Sequence, residues 1–219
     1  MTRLADSLKP KCRTEHFPLG VVASIVPFNF PLMVPNWTIP NAPVLGNTMI
    51  MKPSELVPLS CQPMAALLKE SGLPDGVFNI INGGKEVVEG ICDHAGIEAV
   101  SFVGSTKVAK LVYQRSTNSL KRCIALGGAK NHLFVLPDAN PTMTATNVTA
   151  SMSGCAGQRC MAASAMLAVG NVDSIIEQIA AEARKVVPGK NLGAVISKAA
   201  KERIENFITE AERDGATIL

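Results

Sequence analysis

An α/β fold built around a parallel sheet is what this 219-residue chain predicts, and three observations predict it. Short apolar runs alternate with longer stretches whose apolar residues recur at helical spacing, the pattern of βαβ units. Glycine and proline clusters fall between the two kinds of stretch and punctuate both. At 47% hydrophobic and 18% charged, the chain has enough apolar material for a core and is not a disordered one.

Taken in order, residues Gly20 to Val26 read as a strand closed by Pro27-Phe28-Asn29-Phe30-Pro31. Asn47 to Met51 predicts a second strand, and Leu59 to Ser71 a helix with Met64, Leu67 and Leu68 on one face. The turn Gly72-Leu73-Pro74-Asp75-Gly76 leads to a strand over Val77 to Ile81 and a helix over Lys85 to Asp93. Ala99 to Val103 predicts a fourth strand, after which Gly104-Ser105-Thr106 opens a helix to about Arg115. Cys123 to Leu126 is apolar and is broken by Gly127-Gly128, so a domain boundary falls near Leu126. Beyond it the pattern predicts a strand at Leu133 to Leu136 and a helix from Pro141 leading towards Cys160. A strand at Ala165 to Val169 and helices over Ser174 to Val187 and Ala199 to Asp214 complete the reading.

Composition narrows the function classes. The net charge of +3 is mild and the aromatics are few (seven Phe, one Tyr and one Trp), which supplies base stacking poorly and argues against a nucleic-acid partner. The cysteines Cys12, Cys61, Cys92, Cys123, Cys155 and Cys160 contain no pair at metal or redox-motif spacing, and His16, His94 and His132 do not cluster, so no metal site is expected. Reduced thiols point to a cytoplasmic or mitochondrial-matrix setting. No apolar run reaches membrane-spanning length, so no membrane partner is expected.

Gly157-Gln158-Arg159-Cys160 carries the strongest chemical signal. One cysteine follows a glycine turn and stands beside a fixed positive charge, and Asp138 is the only acid between Glu98 and Asp173. Cations favour the thiolate, the nucleophilic form. Lys52 and Glu55 follow a predicted strand, where side chains can reach ribose hydroxyls at the carboxyl end of a parallel sheet; the alternative is a charged surface turn. Gly104 and Ser105 stand where a strand gives way to a helix, a place that attracts phosphate and equally suits an ordinary helix cap. Asn29, between prolines, is either a turn residue or an amide donor for a developing oxyanion.

In order and spacing, the segments Pro27-Phe28-Asn29-Phe30-Pro31, Lys52-Pro53-Ser54-Glu55, Phe102-Val103-Gly104-Ser105-Thr106, Leu126-Gly127-Gly128 and Gly157-Gln158-Arg159-Cys160 resemble the successive motifs of the aldehyde dehydrogenase superfamily. The resemblance runs from about Phe17 to Leu219 and implies a Rossmann-like NAD-binding domain over residues 1–125, followed over residues 126–219 by the first part of an α/β catalytic domain. It implies Cys160 as nucleophile and Asn29 as oxyanion donor. Lys52 and Glu55 would bind the adenosine ribose, Gly104 and Ser105 the pyrophosphate, and Phe28 would line the cofactor site.

The resemblance also implies a branch. Hydrolytic members carry a glutamate just before Leu-Gly-Gly, where this chain has Ala125, and residues 99–137 contain no acid at all. Gly128-Ala129-Lys130-Asn131-His132, Pro137-Asp138-Ala139-Asn140 and Gly-Gln-Arg-Cys-Met-Ala are similar to the methylmalonate-semialdehyde dehydrogenase branch, which passes its acyl group to coenzyme A. Arg159 would then bind the substrate carboxylate, or else only favour the thiolate or bridge to backbone, while His132 would be structural. The family's first segment and its later Glu-x-Phe-Gly-Pro segment are missing, so a piece of a longer, homo-oligomeric enzyme is expected. The alternatives are a non-catalytic nucleotide-binding fragment and a hydrolytic aldehyde dehydrogenase of other substrate range.

Overall fold

The computed structural model describes residues 13–218, and the chain divides into two compact units between Gly127 and Gly128. The first unit is a five-stranded sheet in the order β3-β2-β1-β4-β5. Its strands are β1 (Val21–Ile25), β2 (Thr48–Lys52), β3 (Phe78–Ile80), β4 (Ala99–Val103) and β5 (Arg122–Leu126), and every pairing is parallel. The α-helices between them are α1 (Asn41–Val44), α2 (Cys61–Glu70), α3 (Lys85–Asp93) and α4 (Thr106–Asn118).

Alternation along the strands divides the apolar residues between two layers. Ala23, Ile25, Val100 and Phe102 pack with Ile91, Cys92, Ala109 and Val112 of α3 and α4. Met49 and Met51 pack on the other side with Val34, Ile39, Ala42 and Cys61. Buried Ser24 and Asn47 find partners: the Thr38 hydroxyl donates to Ser24 Oγ at 3.0 Å, and Asn47 Oδ1 accepts from the amides of Leu19 and Gly20. Buried Lys121 donates to the carbonyls of His94 and Ile97, each at 2.6 Å, which fastens the entry of β5 to the loop after α3.

The second unit pairs β6 (Asn131–Val135) with β7 (Ala163–Ala168) in parallel. Helices α5 (Pro141–Ser153) and α6 (Asp173–Ala183) supply its core: Ala145, Val148, Ile175 and Ile179 close on Val135 and Val172. Asn140 caps α5 by accepting from the Met143 amide at 3.0 Å, with Pro141 as first helical residue. The charged α7 (Lys198–Arg213) is capped by Ser197 and carries the pairs Lys198–Glu202 and Lys201–Glu205 at helical spacing.

Several boundaries differ from expectation, each for a physical reason. The helix expected to reach Val187 stops at Ala183, because Asn191 takes the Val187 amide at 2.6 Å and the Lys185 carbonyl at 3.0 Å, and Val187 precedes a proline. The helix expected from Leu59 begins at Cys61, since Pro58–Ser60 forms a 3-10 turn. The helix expected to end near Arg115 continues to Asn118, and the apolar run after Arg122 is a full fifth strand. The helix from Pro141 leads towards Cys160 and ends at Ser153, where Cys155, Ala156 and Gly157 follow in left-handed conformation at φ of 54°, 53° and 74°.

Candidate active site

In a parallel sheet, ligands bind beyond the carboxyl ends of the strands, where the strand order reverses. Here the order reverses between β1 and β4, and the register aligns Ile25 with both Lys52 and Phe102. Three of the predicted motifs therefore emerge along one edge. Phe28 and Asn29 follow β1 and are half-buried, Lys52 ends β2, and Gly104 and Ser105 follow β4.

Lys52 is 3% exposed, so its ammonium needs internal partners. It donates to the Pro53 carbonyl and to Glu55 Oε2, each at 2.9 Å. Glu55 keeps an exposed carboxylate, 57% accessible, held below its ordinary pKa by the hydrogen bond from its own amide and then by that from Lys52. Ser54 Oγ accepts from the Leu56 amide and shapes the turn. This is a fixed polar pair at a strand's end, with one partner facing outward, and it fits a ligand with paired hydroxyls.

The Gly104 amide donates to the Leu126 carbonyl at 3.1 Å, carrying the β4–β5 ladder one residue past the strand. A Cβ on Gly104 would stand 2.5 Å from the Phe102 ring, so only glycine keeps this backbone open. Ser105 then starts α4 in extended conformation without a side-chain capping bond. The amides of that first turn and the helix dipole suit an anion. Ala125 lies on β5 in register with Phe102 of β4, and half-buried it packs against the core on the α3–α4 side of the sheet. Residues 99–137 contain no acid.

Cys160 and Arg159 lie in the second unit. Gln158 closes the left-handed turn through its amide and Nε2, which donate to the Cys155 carbonyl at 3.1 and 2.9 Å. Gln158 Oε1 accepts from the Ile196 amide at 2.9 Å, fastening the loop to the segment before α7. Non-glycine left-handed residues cost about 1–2 kcal/mol each, so two in succession make this the strained point of the unit. Cys160 is half-buried and Cys155 exposed. Among the described residues Arg159 makes no ion pair, and its guanidinium lies over Gly154.

One residue here had no role in the sequence reading. Asn131, at the start of β6, donates through Nδ2 to the Cys160 carbonyl at 2.6 Å and the Ala162 carbonyl at 2.9 Å. Its amide donates to Ser164 Oγ at 3.0 Å. One side chain thus pins the main chain on both sides of Met161. Its partners lie about thirty residues away, beyond the reach of local pattern; only its place in a motif segment marked it.

Among the described residues no group of three or more His, Cys, Asp or Glu could hold a metal ion, and no helix is long and apolar enough to cross a membrane. Residues 4–219 match the model of the aldehyde dehydrogenase family. The chain is 47% identical over 210 residues to malonate-semialdehyde dehydrogenase 2 of Geobacillus thermodenitrificans, covering 93% of this chain and 44% of that protein. It is 46% identical over 208 residues to the human mitochondrial methylmalonate-semialdehyde/malonate-semialdehyde dehydrogenase [acylating], covering 92% of this chain and 39% of that protein. The crystal structure of a Sinorhizobium meliloti 1021 protein, assigned to methylmalonate-semialdehyde dehydrogenase and complexed with NAD, superimposes with a TM-score of 0.87 at 38% identity, over 92% of this chain and 43% of that one. The chain spans less than half the length of these relatives. From the family match, the relatives and the parallel-sheet fold they share, it follows that this chain belongs to the aldehyde dehydrogenase family.

Proposed function

We propose that this chain carries part of the machinery of an NAD-dependent, CoA-acylating semialdehyde dehydrogenase, acting on malonate or methylmalonate semialdehyde. The observation that carries the reading is the gathering of Asn29, the Lys52–Glu55 pair and Gly104–Ser105 along one sheet edge where the strand order reverses. The first unit would be the NAD-binding domain and the second the start of the catalytic domain.

The residues fit a dinucleotide. Lys52 and Glu55 would hold the adenosine ribose, the Gly104–Ser105 backbone the pyrophosphate, and Phe28 would pack against the cofactor. NAD, when bound, supplies the acceptor for the hydride lost from the substrate carbon. Cys160 Sγ adds to the aldehyde carbon, and Asn29 with the Cys160 amide donates to the resulting oxyanion. Loss of hydride leaves a thioester on Cys160. With no acid over residues 99–137 to activate water, the CoA thiol is the nucleophile that removes the acyl group. Loss of carbon dioxide from the substrate carboxylate then accounts for acetyl-CoA or propionyl-CoA as product. The acylating human relative supports this ending. Arg159 would bind the substrate carboxylate.

The full-length protein would act as a homo-oligomer in the cytoplasm or the mitochondrial matrix; the human relative is mitochondrial. Rapid-mixing kinetics test the reading. Without CoA, about one equivalent of NADH per site should form and then turnover should stall; CoA should restore it. Cys160→Ala should abolish the burst and Cys155→Ala should keep it. Fast steady turnover without CoA would return the protein to the hydrolytic group, and NAD binding with no burst would favour a nucleotide-binding module.

A further inference from the structure

We propose that Gly154 sets where the Arg159 guanidinium sits, and through it the preference for carboxylate-bearing substrates. The inference rests on the proposed role of Arg159 as the carboxylate ligand.

Gly154 has φ −54° and ψ 130°, a conformation open to any residue, so the backbone does not require glycine there. Space requires it. A Cβ on Gly154 would fall within 3.0 Å of Nη1 and Cζ and 2.8 Å from Nη2 of Arg159. Three atoms of one planar group at that range place the guanidinium against the Gly154 backbone. The left-handed run at Cys155, Ala156 and Gly157 turns the chain back so that residue 159 can overlie residue 154, and the two Gln158 bonds to the Cys155 carbonyl hold the turn.

The place also suits the charge. Gly154 closes α5, whose final carbonyls carry partial negative charge and whose last turn holds no basic residue. The guanidinium lies against that backbone, yet Arg159 is exposed and makes no ion pair among the described residues. A guanidinium with unpaired donors in a fixed fork binds a carboxylate with little further ordering. Adding one methyl at residue 154 would push the guanidinium aside and leave the backbone as it is. Gly154 is thus a positioning residue for Arg159.

Alkylation of Cys160 tests this without turnover. The thiolate displaces iodide as the carbon–sulfur bond forms, and iodoacetate and iodoacetamide differ only in the carboxylate. Rates at Cys160 are followed by peptide mass spectrometry, which separates it from Cys155. Arg159→Met and Gly154→Ala should each lower the iodoacetate-to-iodoacetamide rate ratio by roughly tenfold, the worth of one charged hydrogen bond. In an Arg159→Lys background, whose slim ammonium clears the added methyl, Gly154→Ala should change the ratio little. A drop with Arg159→Met but not Gly154→Ala would overturn the role of Gly154 and leave that of Arg159 standing. No drop with either would remove the Arg159 role, and the inference with it. An equal drop from Gly154→Ala in the lysine background would show that the effect bypasses the guanidinium. If Gly154→Ala loses its native circular-dichroism spectrum, recovery in the pair with Arg159→Lys supports the clash and failure to recover refutes it.

Discussion

Asn131 offers the most direct test of how the Cys160 loop is held. Its Nδ2 donates to two carbonyls, those of Cys160 and Ala162, at 2.6 and 2.9 Å. Asn131→Ala removes both bonds. A hydrogen bond is worth about 0.5–1.5 kcal/mol net, and this site is only partly buried, so a loss of about 1–2 kcal/mol in the second unit is expected. Asn131→Asp keeps the outline of the side chain but turns a donor into an acceptor facing two carbonyl oxygens. It should therefore be less stable than Asn131→Ala at neutral pH, although it preserves more volume. The same repulsion raises the new carboxyl's pKa in the folded state, so the lost stability should return as pH falls towards the unfolded value of about 3.9. Urea unfolding followed by circular dichroism measures all three proteins, and iodoacetamide reports the mobility of Cys160 in each. Equal stability of the two variants at pH 7 would show that the amide donor does not hold the loop.

Other outcomes follow from the first unit. Lys52→Met removes the ammonium between Pro53 and Glu55 and should weaken NAD binding by tenfold or more, at roughly 1.5–3 kcal/mol for a charged hydrogen bond; a titration with unchanged affinity would return the pair to a purely structural role. Glu55 has its folded pKa held below 4.5, so its contribution is present above that value and lost as pH falls through the lower one; Glu55→Gln should flatten the acid limb of the stability curve. Burial pushes the thiols of Cys61, Cys92 and Cys123 above 9.0, so their contribution is full below that pH and is lost as pH rises through the higher folded values. Alkaline unfolding should therefore be less steep in Cys92→Ala than in the unmodified protein.

The sheet of the first unit was legible because its strands are short apolar runs bounded by glycine and proline, and the candidate site segments of that unit stood out because they follow those strands. What pattern does not carry is contact between distant residues. Asn131 shows its role only once β6 and β7 pair, and α6 ends early because Asn191 competes for its backbone groups. The left-handed turn was hidden because Cys155 and Ala156 have no intrinsic preference for it. The short helices at Pro35–Trp37 and Asn41–Val44 sit in proline- and asparagine-rich sequence that reads as loop. The orientation of Ala125 depended on the strand's register against β4, which the motif alone could not supply.

The strand order has a consequence for biosynthesis. β1 lies at the centre of its sheet, yet Val22 pairs with Met49 on one side and with Ala99 on the other. On a ribosome adding residues from the amino end, β1 and β2 can pair early, while the second edge of β1 waits for β4 to emerge. During that interval Ala23 and Ile25 lack the layer that later covers them. Non-local pairings of this kind fold slowly and leave apolar edges open to other chains. Yield should therefore respond to elongation rate, temperature and chaperone supply more sharply than the stability of the finished protein would suggest.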